Sequence, residues 1–219
     1  MEVSEAIFKR RSIRDFKPAP VAKELIDQIL EAATRSPSNS NRQPWEYLVI
    51  IGEKLKELVG GIQEAMKAGK SGGRELKTWD DNWKMPEEGN QRANQLMRGL
   101  VESAIKAGIK ASDFIQSNFR FFGAPCVILV LMDKGYGSGA LVSIGASIEN
   151  LLLRAYDLGL GTCWMMIPLE YDYVFRERFQ IPENKYLVST IALGYPSDSK
   201  LNQFRSSRDS LEKVVKFID

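Results

Sequence analysis

Arg10, Ser12 and Arg14 stand at alternate positions of an RRSIRDF run (residues 10–16), so an extended backbone projects all three to one side. Two guanidiniums and a hydroxyl, with Arg11 beside them, suit a phosphate, which arginine binds through paired N–H donors. A solvated basic turn after a helix has the same composition, and the spacing alone leaves both readings open. A second run, SPSNSNRQPW (residues 36–45), collects Pro37, Ser38, Asn39, Asn41 and Gln43. Small hydroxyl and amide side chains offer donors and acceptors with little bulk, which suits a flat heterocycle rich in carbonyls and ring nitrogens. The alternative is a turn whose Ser and Asn groups bond their own backbone.

The chain has no histidine. Ser-His and Cys-His nucleophilic schemes, histidine acid–base catalysis and the usual His-containing zinc sites are therefore excluded. No metal site and no catalytic side chain is expected; if the protein is an enzyme, a bound cofactor carries the reaction. Two cysteines, Cys126 and Cys163, each lie in an apolar run, which fits reduced packing thiols in a cytoplasmic protein better than a disulfide framework. A net charge of +2 argues against nucleic acid as a partner. No apolar run approaches membrane-spanning length, and the charged N-terminal residues do not read as a signal peptide.

The elements that must position these groups follow from periodicity. Apolar residues recur at helical spacing over 23–34, 54–68 and 141–158, the last ended by Gly159 at a C-cap position. Residues 5–9 close a short first helix, 91–122 read as mainly helical, and 169–179 as a further helix. Strands are predicted at 46–51, 125–132, 162–167 and 186–193, the second a continuous apolar run of the buried kind. Gly-rich, charged and aromatic by turns, residues 69–90 break the pattern and read as an insertion or lid. The expected architecture is one α+β domain over 1–219, a mixed or antiparallel central sheet flanked by helices. The apolar helix at 141–158 suits a subunit interface or a monomer core equally, and its Glu149 and Asn150 a buried polar pair or contacts between subunits.

RRSIRxF near the N-terminus, SPSNSNRQPW running into a strand, GLGTCWMM at 159–166, ALGYPSD at 192–198 and RDSLEKVV at 208–215 occur in one order along the chain. This ordered set resembles the FMN-dependent nitroreductase family. The resemblance implies a nitroreductase-like fold and an obligate homodimer with FMN at the subunit interface. It implies that Arg10, Arg11, Ser12 and Arg14 hold the phosphate and the polar edge of the flavin, and that Pro37, Ser38, Asn39, Asn41 and Gln43 arrive from the second subunit. Thr162, Cys163 and Trp164 would lie along the ring, and Arg208 would complete the phosphate site. The family often has lysine where this chain has Ser206, so Arg205 would serve instead. Trp79 and Trp83 in the insertion would stack on a planar substrate, or else pack a small cluster beneath a loop.

The implied activity takes electrons from NADH or NADPH onto FMN and passes them, in alternating half-reactions, to a nitroaromatic, quinone or similar electron-poor small molecule. Specialised relatives that fragment reduced flavin or remove halogen from aromatics, and a non-catalytic flavin-binding protein, are the alternatives on the same fold.

Overall fold

In the computed structural model, residues 2–77 and 84–218 are described. Helix α1 (Val3–Lys9) is followed by α2 (Lys23–Thr34), whose Ile26, Ile29 and Ala33 recur at helical spacing and are all buried. The chain then runs through the 36–45 loop into strand β1 (Glu46–Ile51) and helix α3 (Gly52–Lys67). Helix α4 (Glu87–Lys106) starts inside the stretch predicted as an insertion: Pro86 stands at its N-cap and Glu87 and Glu88 face the positive end of its dipole. The predicted helical run over 91–122 divides into α4, α5 (Ala111–Ser117) and a 3-10 turn (Asn118–Gly123). Gly108 divides α4 from α5 with a left-handed φ of +79°, and Phe121, Phe122 and Gly123 turn the chain with φ of 51°, 56° and 76°. Strand β2 (Cys126–Asp133), helix α6 (Ala140–Asp157), strand β3 (Gly161–Met165), helix α7 (Asp172–Phe179), strand β4 (Lys185–Gly194) and the short α8 (Leu211–Val214) complete the order.

The four strands form one sheet in the order β1-β2-β4-β3, and every strand pair is antiparallel. Seven of the eight β2 residues are buried, because both faces of the sheet are covered. Alternate side chains feed two separate cores. Val127, Leu129 and Leu131 pack with Leu58 and Ile62 of α3, Leu100 of α4, Phe121 and Phe175. Cys126, Ile128, Val130 and Met132 pack with Ile29 of α2 and with Ile144, Ile148 and Leu151 of α6. Thus α6 is a core helix under the sheet, and its Ser147 and Asn150 are each hydrogen-bonded. The Ser147 hydroxyl donates to the Ala33 carbonyl at 2.6 Å, and the Asn150 amide donates to Ser36 Oγ at 2.7 Å. Asn150 therefore anchors the start of the 36–45 loop rather than pairing with Glu149. Gly159, at φ 75°, ends the helix as its C-cap position predicted.

The first part of the predicted insertion is docked. Gly72 and Gly73 N–H both donate to the Glu170 carbonyl, and Glu75 N–H donates to the Asp172 carboxylate. The Glu75 carboxylate pairs with Lys134 and Arg176. Among the described residues, no helix is long and apolar enough to cross a membrane.

Candidate functional site

Glycine at 161 lets the 10–16 segment lie against β3. A Cβ there would stand 2.6 Å from Ile13 Cγ1 and 2.9 Å from Pro196 Cγ, closer than packed atoms approach. Through this contact Ser12 forms a parallel bridge with Thr162, Ile13 N–H donates to the Thr162 carbonyl at 2.9 Å, and Ile13 and Phe16 are buried. With Ile13 turned inward, the flanking Ser12 and Arg14 are left on the open side, as the alternation predicted.

Asn202, buried at 3% exposure, fixes this segment from the other end of the chain. Its Oδ1 accepts from Arg14 N–H at 2.9 Å, its Nδ2 donates to the Asp15 carbonyl at 2.8 Å, and its carbonyl accepts from Arg11 Nε. Arg205 donates to the Phe8 and Lys9 carbonyls at 3.5 and 3.3 Å, meeting acceptors that the end of α1 leaves open. Arg208 donates to Ser206 Oγ at 2.8 Å and to the Ser207 carbonyl at 2.9 Å, so Ser206 orients an arginine here instead of contributing a charge.

The result is one cleft of about 440 Å³ bounded by Arg10, Arg11, Ser12, Arg14, Arg205 and Arg208, with Phe8, Leu96 and Phe204 on its apolar side. Gathering five guanidiniums is unfavourable unless negative charge offsets them, and the arrangement suits a multiply charged oxyanion. The Nε of Arg10 is buried without a hydrogen bond among the described residues.

Thr162 and Cys163 are buried at 2% and 3% exposure, whereas Trp164 is 44% exposed on the edge strand. The first two therefore offer backbone rather than side chains, and Trp164 offers its indole. Burial pushes the Cys163 thiol up, against the lowering pull of Arg14, Ser12 and Arg10. A protonated, enclosed thiol is a packing group, as expected from its apolar run.

The 36–45 loop lies elsewhere. Asn39 N–H donates to Ser143 Oγ at 3.3 Å, and the Tyr136 hydroxyl donates to the Arg42 carbonyl at 3.2 Å. Asn39, Arg42 and Pro44 line a separate cavity of about 220 Å³ with Tyr136 and Ser143, and none of the loop residues borders the arginine cleft. Ser38 Oγ accepts from Gln43 N–H at 3.0 Å, and Gln43 Nε2 donates to Asn41 Oδ1 at 3.2 Å, so part of the loop's polarity serves its own left-handed turns. Pro37, Asn39, Asn41 and Gln43 are nonetheless exposed. Trp79 and Trp83 lie outside the described residues.

Asn202 is a residue of this site that local sequence patterns missed. Asn202 sits in a polar stretch without periodicity, and its role exists only through contacts with residues 11–15.

The Nitroreductase family model matches residues 7–195. The chain belongs to the Nitroreductase family. Within it, a 4-nitrobenzoate reductase of Nocardioides sp. (strain LMS-CY) is 28% identical over 229 residues, spanning 100% of this chain and 91% of its own length. A nitrobenzene nitroreductase of Ectopseudomonas oleovorans is 30% identical over 225 residues, spanning 99% of this chain and 96% of its own. The solved structure of an FMN and NADPH-dependent nitroreductase, NfnB, from Sphigopyxis sp. strain HMH superposes with a TM-score of 0.91 at 24% identity, covering 100% of both chains. The α+β nitroreductase fold expected from the ordered motifs is therefore the fold observed.

Proposed function

We propose that this protein is an FMN-dependent oxidoreductase that takes electrons from NADH or NADPH and delivers them to a nitroaromatic, quinone or similar electron-poor acceptor. The observation that carries this reading is the convergence of Arg10, Arg14 and Arg208, from opposite ends of the chain, on one cleft. The five guanidiniums fit the FMN phosphate in charge and donor type. Bound there, FMN would supply the two-electron redox chemistry that protein side chains do not, linking nicotinamide oxidation to reduction of the acceptor.

The chain's own residues bind, orient and shield. Arg10, Arg11, Arg14 and Arg208 would hold the phosphate, and Arg205 would join α1 to the arm that carries Arg208. Ser12 and the backbone along Thr162, Cys163 and Trp164 would face the ring. A second copy would bring Pro37, Ser38, Asn39, Asn41 and Gln43 over it, which accords with none of them bordering the arginine cleft of their own chain. Association is also favoured by the exposed apolar residues Val3, Ile7 and Phe8 of α1 and Val142 of α6.

The test is a visible absorption spectrum of the purified protein, mass spectrometry of the released ligand, and oxidation of NADH and NADPH with 4-nitrobenzoate and a quinone. A yellow dimer releasing FMN and turning over both half-reactions is expected. A colourless protein that cannot be loaded with FMN would overturn the reading.

A further inference from the structure

We infer that Glu149 of α6 is a positioning residue for the arginine cleft, holding the Arg10 guanidinium by one edge so that its other edge faces the anion. This rests on the phosphate cleft of the proposed function. Glu149 Oε1 lies 3.3 Å from Arg10 Nε, and the two side chains are 45% and 20% exposed. Of the five arginine side chains around the cleft, that of Arg10 donates no hydrogen bond among the described residues, whereas those of Arg11, Arg14, Arg205 and Arg208 each bond to a backbone carbonyl. Its aim therefore depends on the Glu149 contact and on packing.

Arginine binds oxyanions through either its Nε side or its pair of terminal nitrogens. A carboxylate beside Nε occupies the first and leaves the second free. The pair is not aligned as a hydrogen bond, since Arg10 Nε is buried without one. The carboxylate thus acts through charge, and a binding anion can draw the guanidinium forward without first breaking a well-made bond. Glu149 also sets one negative charge against the positive cluster, which limits mutual repulsion before ligand arrives.

Two opposed effects on FMN make the proposal testable. A carboxylate that merely sat near the cleft would repel the phosphate, and removing it would tighten binding. A carboxylate that aims Arg10 would weaken binding when lost. The experiment measures FMN dissociation constants by flavin fluorescence quenching for the wild type, Glu149→Gln, Glu149→Asp, Arg10→Gln and the Glu149→Gln/Arg10→Gln double variant, with circular dichroism establishing that each is folded. Glu149→Gln is expected to raise the constant roughly ten-fold and Glu149→Asp to restore part of it. The double variant should be no weaker than Arg10→Gln alone, because the carboxylate acts through that side chain. Unchanged or tighter binding in folded Glu149→Gln, or additive effects in the double variant, would overturn the inference while leaving the cofactor reading intact. A wild-type protein that binds no FMN would remove both.

Discussion

Each arginine of the cleft is held by a different device, and this decides what its loss should cost. Arg208 is braced by Ser206 and the Ser207 carbonyl and reaches the cleft from the polar tail. Charge-assisted hydrogen bonds contribute about 1.5–3 kcal/mol. Arg208→Ala should therefore raise the FMN dissociation constant by roughly ten- to a hundred-fold with little change in thermal stability of the apoprotein; a change below about two-fold would remove Arg208 from the site. The cysteines behave differently. Burial pushes the Cys126 thiol from 9.0 up to about 12. Because the folded value is the higher one, the unfolded thiol ionises first, so stability is intact below 9.0 and declines as pH climbs toward 12. Against Cys126→Ala, the wild type should lose about 1.4 kcal/mol per pH unit across that window in urea titrations. Parallel curves would disprove the assignment. At this scale the sequence was informative where chemistry shows in residue type, as with alternating Arg10, Ser12 and Arg14. It was silent on Asn202, whose neighbours lie far away along the chain, and it offered Glu149 as a helix polar group without showing Arg10 beside it.

Helices α2 and α6 are visible as periodicity, since each buries one repeating face, and the strands as short apolar runs, with β2 and β4 buried on both faces. The breaks are harder to read. Gly108 and the left-handed Phe121–Phe122 pair divide what hydrophobicity alone presents as one long helix, because phenylalanine gives no local signal of positive φ. Gly161 shows the reverse case, a glycine whose purpose is proximity. Placing a methyl group 2.6 Å from Ile13 Cγ1 must displace the 10–16 segment from β3. Gly161→Ala is expected to cost about 1–3 kcal/mol of stability, as overpacking does, and to weaken FMN binding as well. Calorimetry and FMN titration on the same variant measure both. Full stability with full affinity would show that the segment accommodates the methyl elsewhere.

At the scale of the whole molecule, several large apolar side chains stand exposed. Val3 is 71% exposed, Phe8 81%, Val142 78%, and Phe217 and Ile218 in the tail 88% and 86%. These residues look unremarkable in sequence, because a helix that is apolar on both sides reads the same beneath a sheet or between subunits. The sheet order β1-β2-β4-β3 was likewise not legible, since strand neighbours are chosen by tertiary packing. If Val142 lies between two copies, Val142→Lys buries an unpaired ammonium there. The expected outcome is a shift toward monomer by analytical ultracentrifugation together with loss of FMN; a dimer of unchanged affinity would place the contact on another face.

The indole of Trp164, 44% exposed on edge strand β3, gives the protein an optical property of its own. A wetted indole emits at colours that an oxidised flavin absorbs, and transfer between them falls steeply with separation. Trp45, at 7% exposure, precedes the opposite edge strand, three strand spacings or roughly 14 Å across the sheet and four residues along it from the level of Trp164. In a Trp79→Phe/Trp83→Phe background, lodging the proposed ring along β3 should therefore darken the red-shifted part of the emission ahead of the blue-shifted part. Phenylalanine at 164 should abolish that order, which makes the colour of the lost light a gauge of where the chromophore sits.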